Sequence, residues 1–161
     1  MAEIELLLED GGVNMDALVY LGDGNDDESG ARDVASTALI AATMYENEAV
    51  VRWLLQQGAG PDICASDGVT PLIVAAGVGN IALVQLLLEQ QVSLNATTKL
   101  WTGGGAAFHN ACAHGHADCV EALVRAGCDM MLLSAGSGVT GNHIAEHRGH
   151  TAVLERLRSL E

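Results

Sequence analysis

The chain has 161 residues, of which 21 are Asp or Glu and seven are Lys or Arg, so its formal net charge is −14. A negative field of this size repels phosphate backbones and anionic lipids, so we expect no nucleic acid and no membrane surface as a partner. Hydrophobic residues make up 49% of the chain, which excludes a disordered chain and predicts one domain with a sizeable core.

The beginning of the chain, MAEIELLLED, is acidic and does not have the basic and apolar segments of an export signal. The four cysteines lack the spacing of a disulfide framework, so we expect free thiols in a reducing compartment. Together these features predict a cytoplasmic protein, with a nuclear location as the alternative.

Residues 1–16 contain the stretch IELLLEDGGVN, an apolar helical pattern followed by two glycines. This stretch is similar to the second half of the units described below and predicts a partial unit, either a lone capping helix or a unit that begins in its middle. Residues 17–35 then form an acidic loop insertion. Its stretch DGNDDE departs from the calcium-loop pattern at the sixth and twelfth positions, so we expect a solvated loop, with a weak cation site as the alternative.

Four copies of one pattern follow, at residues 34–66, 67–102, 103–136 and 137–161. Each copy has a short Ala-rich segment, a break, and a segment with a wide apolar helical face. In the first copy that face consists of Val50, Val51, Trp53, Leu54 and Leu55. The offsets between copies are 33, 36 and 34 residues, and the longest reflects a three-residue insertion in the second copy.

Neither segment of a copy can bury its apolar face alone, so the copies must stack to build a continuous core. A glycine, or Gln91 in the second copy, follows the second segment, as expected of a residue with positive φ that ends a helix. In the last copy, charged residues predict the polar outer face of a terminal unit; they are Arg148, Glu155, Arg156, Arg158 and Glu161.

The second copy contains DGVTPLIVAAGVGN, which resembles the ankyrin repeat and its core pattern G-x-T-P-L-H-x-A-A-x-x-G-H. The matching residues are Gly68, Thr70, Pro71, Leu72, Ala75, Ala76 and Gly79, and the other copies match in part in the same register. The resemblance covers residues 34–161 and implies one all-α domain, an ankyrin-type helix-turn-helix solenoid with projecting hairpin or turn fingers. It also implies recognition of another protein, with no catalysis and no cofactor.

The stretch FHNACAHGHADC raises the alternative of a metal-binding protein, because three histidines and two cysteines lie within twelve residues. The resemblance explains four of these five residues otherwise. It implies that His109 hydrogen-bonds neighbouring turns, that His116 follows the glycine between two helices, and that Cys112 and Cys119 fill small apolar positions. Because His114 alone lies outside the pattern, we expect no metal site.

The resemblance further implies that a partner contacts the concave surface formed by the first helices and the fingers. The candidates late in the first helices are Met44, Tyr45, Gly77, Val78, Ala113, His114, His147 and Arg148. The candidates at the finger tips are Ser66, Asp67, Val69, Leu100, Trp101, Ser137 and Val139.

Three of the aromatic residues carry separate predictions. Trp101 is either an interface anchor or a cover folded back over the stack, and Tyr45 either forms an apolar patch with Met44 or contacts the acidic loop. Trp53 belongs to the apolar helical face and is predicted to be structural.

The sequence therefore predicts a non-catalytic, monomeric protein–protein interaction module. Its acidity favours a partner with a basic surface, although a charge that serves only solubility explains the same composition. One alternative is a four-repeat regulator that resembles the small inhibitors of cyclin-dependent kinases in size and repeat number. Another is end-to-end assembly through the incomplete first unit.

Overall fold

The computed structural model describes Asp16, Val19–Tyr20, and residues 35–98 and 104–160. The predictions for the rest of segment 1–16, for most of the acidic insertion, and for Leu100 and Trp101 lie outside these residues. In the described part, β1 (Val19–Tyr20) pairs antiparallel with β2 (Ala35–Ser36), at the two ends of the segment that the sequence predicted to be a loop. Two-residue strands are too short to show an alternating pattern, so periodicity could not indicate them.

Eight helices follow in the described residues. They are α1 (Ala38–Met44), α2 (Glu48–Gln56), α3 (Pro71–Val78), α4 (Ile81–Leu88), α5 (Ala107–His114), α6 (Ala117–Arg125), α7 (Gly141–His147) and α8 (Thr151–Arg158). The first helices α1, α3, α5 and α7 pack on one another in that order, and the second helices α2, α4, α6 and α8 form a parallel row behind them. This two-layer stack confirms the predicted all-α solenoid of helix pairs.

The first helices begin at a residue that satisfies their free backbone N–H groups. Thr37, Thr70 and Thr140 each accept, through Oγ1, a hydrogen bond from the backbone N–H three residues later, at 3.2, 3.3 and 3.4 Å. The third unit has Ala106 at this position, and there the Ala106 N–H donates to Nδ1 of His109 at 3.2 Å instead. The start of each first helix is therefore fixed locally, by one hydroxyl or one imidazole.

The second helices bury one face and leave the other in solvent. In α2, Val51 and Leu54 are buried, while Val50, Trp53 and Leu55 are half-buried and pack against the same core. The predicted apolar face of this helix is confirmed, and so is the structural role of Trp53. The first helices α1, α3 and α5 are buried more fully; in α5 every residue from Ala107 to Ala113 is buried.

The second helices of the first three units end as predicted, at a residue with positive φ. Gly58 and Gly127 have φ of 88° and 91°, and Gln91 adopts the same left-handed conformation with φ of 58°. The backbone turn is thus conserved in shape along the stack even where its glycine is replaced.

Neighbouring units are joined by a recurring hydrogen bond in the turns. A backbone N–H, two residues after the position that ends the second helix, donates to Oδ1 of a turn residue in the preceding unit. The pairs are Gly60 with Asp16 at 2.7 Å, Ser93 with Asp62 at 2.9 Å, and Asp129 with Asn95 at 2.9 Å. Asp16 thus makes the same contact with the first full unit that Asp62 makes with the second. This equivalence supports the prediction of a partial unit before the first full unit.

The charged residues of the last unit do not all face outward. Arg156 of α8 bridges to α6, where its Nη1 contacts the carboxylates of Glu121 and, at 3.0 Å, Asp118. Arg148 reaches α5, as described below. Charged side chains of the last unit therefore also connect it to the third unit.

Candidate protein-binding surface

The C-terminal ends of the first helices form a row of exposed side chains, one position for each unit. Tyr45 follows α1 and is 80% exposed, and Met44 and Val78 are each 37% exposed. His114 at the end of α5 and Arg148 after α7 are exposed as well. Most of α1, α3 and α5 is buried, so the ends of these helices are where the inner row meets solvent.

A cleft of about 320 Å³ lies between the third and fourth units at one end of this row. It collects five of the residues predicted from the sequence with two others; its lining is Ala113, Ser137, Val139, His143, Ile144, His147 and Arg148. Helix α7 places His143 and His147 on one face because they are four residues apart. Sequence reasoning missed His143 and Ile144 as lining residues, although that spacing was a signal that could have found them.

Hydrogen bonds to one backbone carbonyl hold the wall of this cleft. Nη1 of Arg148 donates to the carbonyl oxygen of Ala113 at 2.9 Å, and Nε2 of His150 lies 3.0 Å from the same oxygen. His116 makes the equivalent contact one unit earlier, with Nε2 at 3.1 Å from the carbonyl oxygen of Gly77. The histidine between the helices thus connects its unit to the C-terminal part of the preceding first helix.

Two of the predicted finger-tip residues are not at an exposed tip. Asp67 and Val69 are 7% and 3% exposed, while Ser66 beside them is exposed. Oδ1 of Asp67 accepts a hydrogen bond from the Val69 N–H at 3.0 Å, which folds the carboxylate back onto its own turn. Val69 packs into the core. The expectation that these two side chains face a partner is corrected: the turn directs them inward.

The histidines and cysteines of the stretch 108–119 have separate structural roles. His109 is fully buried; since its Nδ1 accepts from Ala106, its ring proton is on Nε2, which donates to the carbonyl oxygen of Leu132 at 3.0 Å. This bond to the following turn confirms the role that the resemblance implied. Burial lowers the pKa of His109, which keeps the ring neutral, although hydrogen bonds to backbone carbonyls oppose that shift.

The thiols are equally unsuited to ligation or nucleophilic attack. Burial raises the pKa of Cys112 to about 12 and that of Cys119 to about 11, so both stay protonated at neutral pH. In the part of the chain that the structure describes, no three His, Cys, Asp or Glu side chains gather in a way that could hold a metal ion. The geometry of this stretch therefore does not support the metal-binding alternative.

His114, the residue outside the pattern, lies on the exposed side of this cluster. Its Nδ1 is 2.9 Å from the carbonyl oxygen of Asn110 in its own helix, and its ring stacks on that of His116 with 6.0 Å between centroids. These two contacts hold the imidazole at the solvent-exposed end of α5.

Sequence reasoning missed two exposed apolar side chains in the turn between the third and fourth units. Met131 is 75% exposed and Leu133 is 58% exposed. The signal was present in the run MMLL, which is apolar but falls outside both helical segments of its copy.

The stack of helix pairs, the turns that join them and the exposed row define a repeat solenoid. A family model for ankyrin repeats in three copies matches residues 4–98, and a second, for ankyrin repeats in many copies, matches residues 74–124. The chain belongs to the ankyrin repeat family. The first match begins at residue 4 and so includes the segment predicted to be a partial repeat.

Several curated proteins are similar over parts of the chain. The human SH3 and multiple ankyrin repeat domains protein 2 is 36% identical over 109 residues, which are 67% of this chain and 6% of that protein. The probable E3 ubiquitin-protein ligase XBOS33 of Oryza sativa subsp. japonica is 35% identical over 80 residues, 50% of this chain and 15% of that protein. The ankyrin repeat and SAM domain-containing protein 6 of Rattus norvegicus is 39% identical over 68 residues, 41% of this chain and 7% of that protein. This chain thus spans a small part of each relative's length.

Ankyrin repeats make this chain a protein–protein interaction module of a family that is generally non-catalytic. In the described ranges, none of the helices has both the length and the hydropathy needed to cross a bilayer.

Proposed function

We propose that the chain binds a partner protein against the exposed row at the ends of its first helices, and that it acts by occupying the partner's surface without chemistry. The observation that carries this proposal is the exposure of Tyr45, Val78, His114 and Arg148 at equivalent places in four consecutive units. Aromatic and arginine side chains are the residue types most often found as interface anchors. Tyr45 and Arg148 are of these types, and a row with one exposed side chain per unit suits an extended partner surface.

The chemistry of the partner follows from charge at long range. A formal charge of −14 favours a partner whose surface is basic overall, since complementary fields raise the rate of encounter. We place the chain in the cytoplasm, where its cysteines, free in the structure, remain reduced.

Affinity capture from a lysate of the source cells, with identification of bound proteins by mass spectrometry, tests the proposal. We expect Tyr45→Ala and His114→Ala each to deplete the same bound protein, with Gln85→Ala as the control because Gln85 is exposed on the second-helix row. Trp101→Ala belongs in the same set, since an anchor role predicts depletion and a cover role predicts reduced stability. If capture were unchanged in Tyr45→Ala and His114→Ala but lost in Gln85→Ala, the binding surface would be the second-helix row and the proposal would be wrong.

A further inference from the structure

The cleft between the third and fourth units has a charge opposite to that of the molecule. The chain has three times as many acidic as basic residues, 21 against seven. The cleft lining nevertheless contains an arginine and two histidines, Arg148, His143 and His147, and no carboxylate. Glu146, the acidic residue of α7, does not line it.

Arg148 also differs from most arginines of the described part in having no ion-pair partner there. Arg52 pairs with Glu48 at 2.8 Å, Arg125 pairs with Glu121 at 2.6 Å, and Arg156 bridges two carboxylates of α6. Arg148 is instead fixed by one hydrogen bond to a backbone carbonyl through Nη1. Since a guanidinium has five N–H donors, this leaves an oriented cation with free donors in the wall of the cleft.

The remaining wall is apolar. Ala113, Val139 and Ile144 line the cleft beside the polar groups, and Val139 and Ile144 are half-buried. A volume of about 320 Å³ accommodates one or two side chains rather than a folded element. The cleft therefore suits a carboxylate that is carried next to an apolar group.

The net negative charge of the chain does not prevent a carboxylate from binding in the cleft. Repulsion by distant charges and direct contact with Arg148 act over different distances. At physiological ionic strength, charges more than about 8 Å apart in solvent are largely screened from each other. A bidentate contact between a guanidinium and a carboxylate acts at about 3 Å and is shorter and stronger than a neutral hydrogen bond. The distant acidic residues influence the approach of a partner, and Arg148 decides what the cleft accepts.

We propose that this cleft receives an Asp or Glu side chain from an extended segment of the partner protein, with an apolar neighbour of that residue against Val139 and Ile144. The inference rests on the proposed function and refines it: the partner is basic over most of its surface, and it inserts an acidic segment here.

An array of random seven-residue peptides tests this inference. The peptides are acetylated and amidated, so that a bound carboxylate can come only from an Asp or Glu side chain, and the full chain is applied at physiological salt. We expect bound peptides to be at least threefold enriched in Asp or Glu beside an apolar residue. The enrichment should disappear in Arg148→Gln and persist in Arg158→Gln, because Arg158 is an exposed arginine of α8 that does not line the cleft.

Circular dichroism melting of each variant shows whether it is folded, and Arg148→Lys, which keeps the charge, should retain part of the enrichment. Bound peptides without acidic enrichment, or an enrichment that Arg148→Gln leaves unchanged, would overturn the inference and leave the proposed function standing. Binding of no peptide above background would also overturn the inference, while the capture experiment tests the proposed function separately.

Discussion

At the scale of single residues, Asn142 is a half-buried side chain with one unsatisfied buried atom. It lies in α7 at the position that Leu39, Leu72 and Phe108 occupy in the other units, where those three side chains are buried. Its Oδ1 is buried and has no hydrogen-bond partner. An unpaired buried carbonyl costs about 1–3 kcal/mol.

Asn142→Leu should therefore stabilise the fold by about 1–3 kcal/mol, because it removes the unpaired oxygen and buries an apolar group in its place. Urea unfolding followed by circular dichroism measures the change. The control is Asn142→Asp, which should lower stability because it buries a charge. A lower free energy of unfolding in Asn142→Leu would contradict the cost assigned to the unpaired oxygen.

The lowered pKa of His109 makes the stability of the fold depend on pH. Its pKa is lowered in the folded state below the usual value of 6.5, so the unfolded chain takes up a proton first as the pH falls. Its contribution is then fully present above about pH 6.5 and is lost progressively below it, until the pH reaches the lowered pKa.

Urea midpoints of the wild type and of His109→Gln, taken from pH 8 to pH 5, isolate this contribution because the other histidines are common to both. The variant should be less stable at pH 8, since it loses the bond to the following turn, but its stability should fall less between pH 6.5 and 5. Parallel pH profiles would show that His109 is not kept neutral by the fold.

The sequence correctly predicted the structural roles of several residues in the stretch 108–119. His109, Cys112 and Cys119 were assigned through their place in a repeated pattern, and pattern position fixes which side of a helix a residue occupies. Asp67 and Val69 were assigned wrongly because a turn has no such periodicity. The direction of the Asp67 side chain depends on a hydrogen bond to the Val69 N–H, which spacing alone does not indicate.

At the scale of elements, the break between two helices of a unit depends on a close approach between units. Gly115 ends α5 with φ of 78°, and a Cβ added there would lie 2.8 Å from the ring of His150 in the next unit. Gly149 has φ of 71°, but a Cβ added there would meet nothing within 4 Å. The two glycines share a backbone conformation and differ in what a side chain would contact.

Gly149→Ala should therefore cost only the strain of the left-handed conformation, about 1–2 kcal/mol. Gly115→Ala should cost about 1 kcal/mol more, because it also displaces His150 from the carbonyl oxygen of Ala113. Chemical unfolding of both variants measures the difference. An equal loss in the two would mean that His150 does not connect the units.

The helix pairs were predictable because each copy repeats the same apolar pattern and neither segment can bury its face alone. The strands Val19–Tyr20 and Ala35–Ser36 were not predictable, since their pairing is a long-range contact between two short segments. The cleft was predictable only in part: five lining residues followed from their positions, but their convergence depends on how α7 packs on α5.

At the scale of the whole molecule, the charge argues for a monomer. A formal charge of −14 produces repulsion between copies. Sedimentation velocity over a hundredfold range of concentration should give one species with the mass of a single chain. A second species of double mass that grows with concentration would favour the alternative of end-to-end assembly.

The fold class could be inferred from the sequence because four degenerate copies agree in register, whereas the partner could not. Stacking requires the buried positions of each unit to stay apolar, but the exposed ends of the first helices are free to vary without loss of the fold. Under the proposed function, specificity lies in side chains such as Tyr45 and His114, which no rule of packing determines.

Hydrogen–deuterium exchange of the chain, alone and with the protein recovered by capture, tests the central claim that the row of first-helix ends is the binding surface. We expect slower exchange in peptides covering the ends of α1, α3, α5 and α7 and the turn at 134–140, with little change in α2, α4, α6 and α8. Protection confined to the second-helix row, with the first-helix ends unchanged, would contradict it.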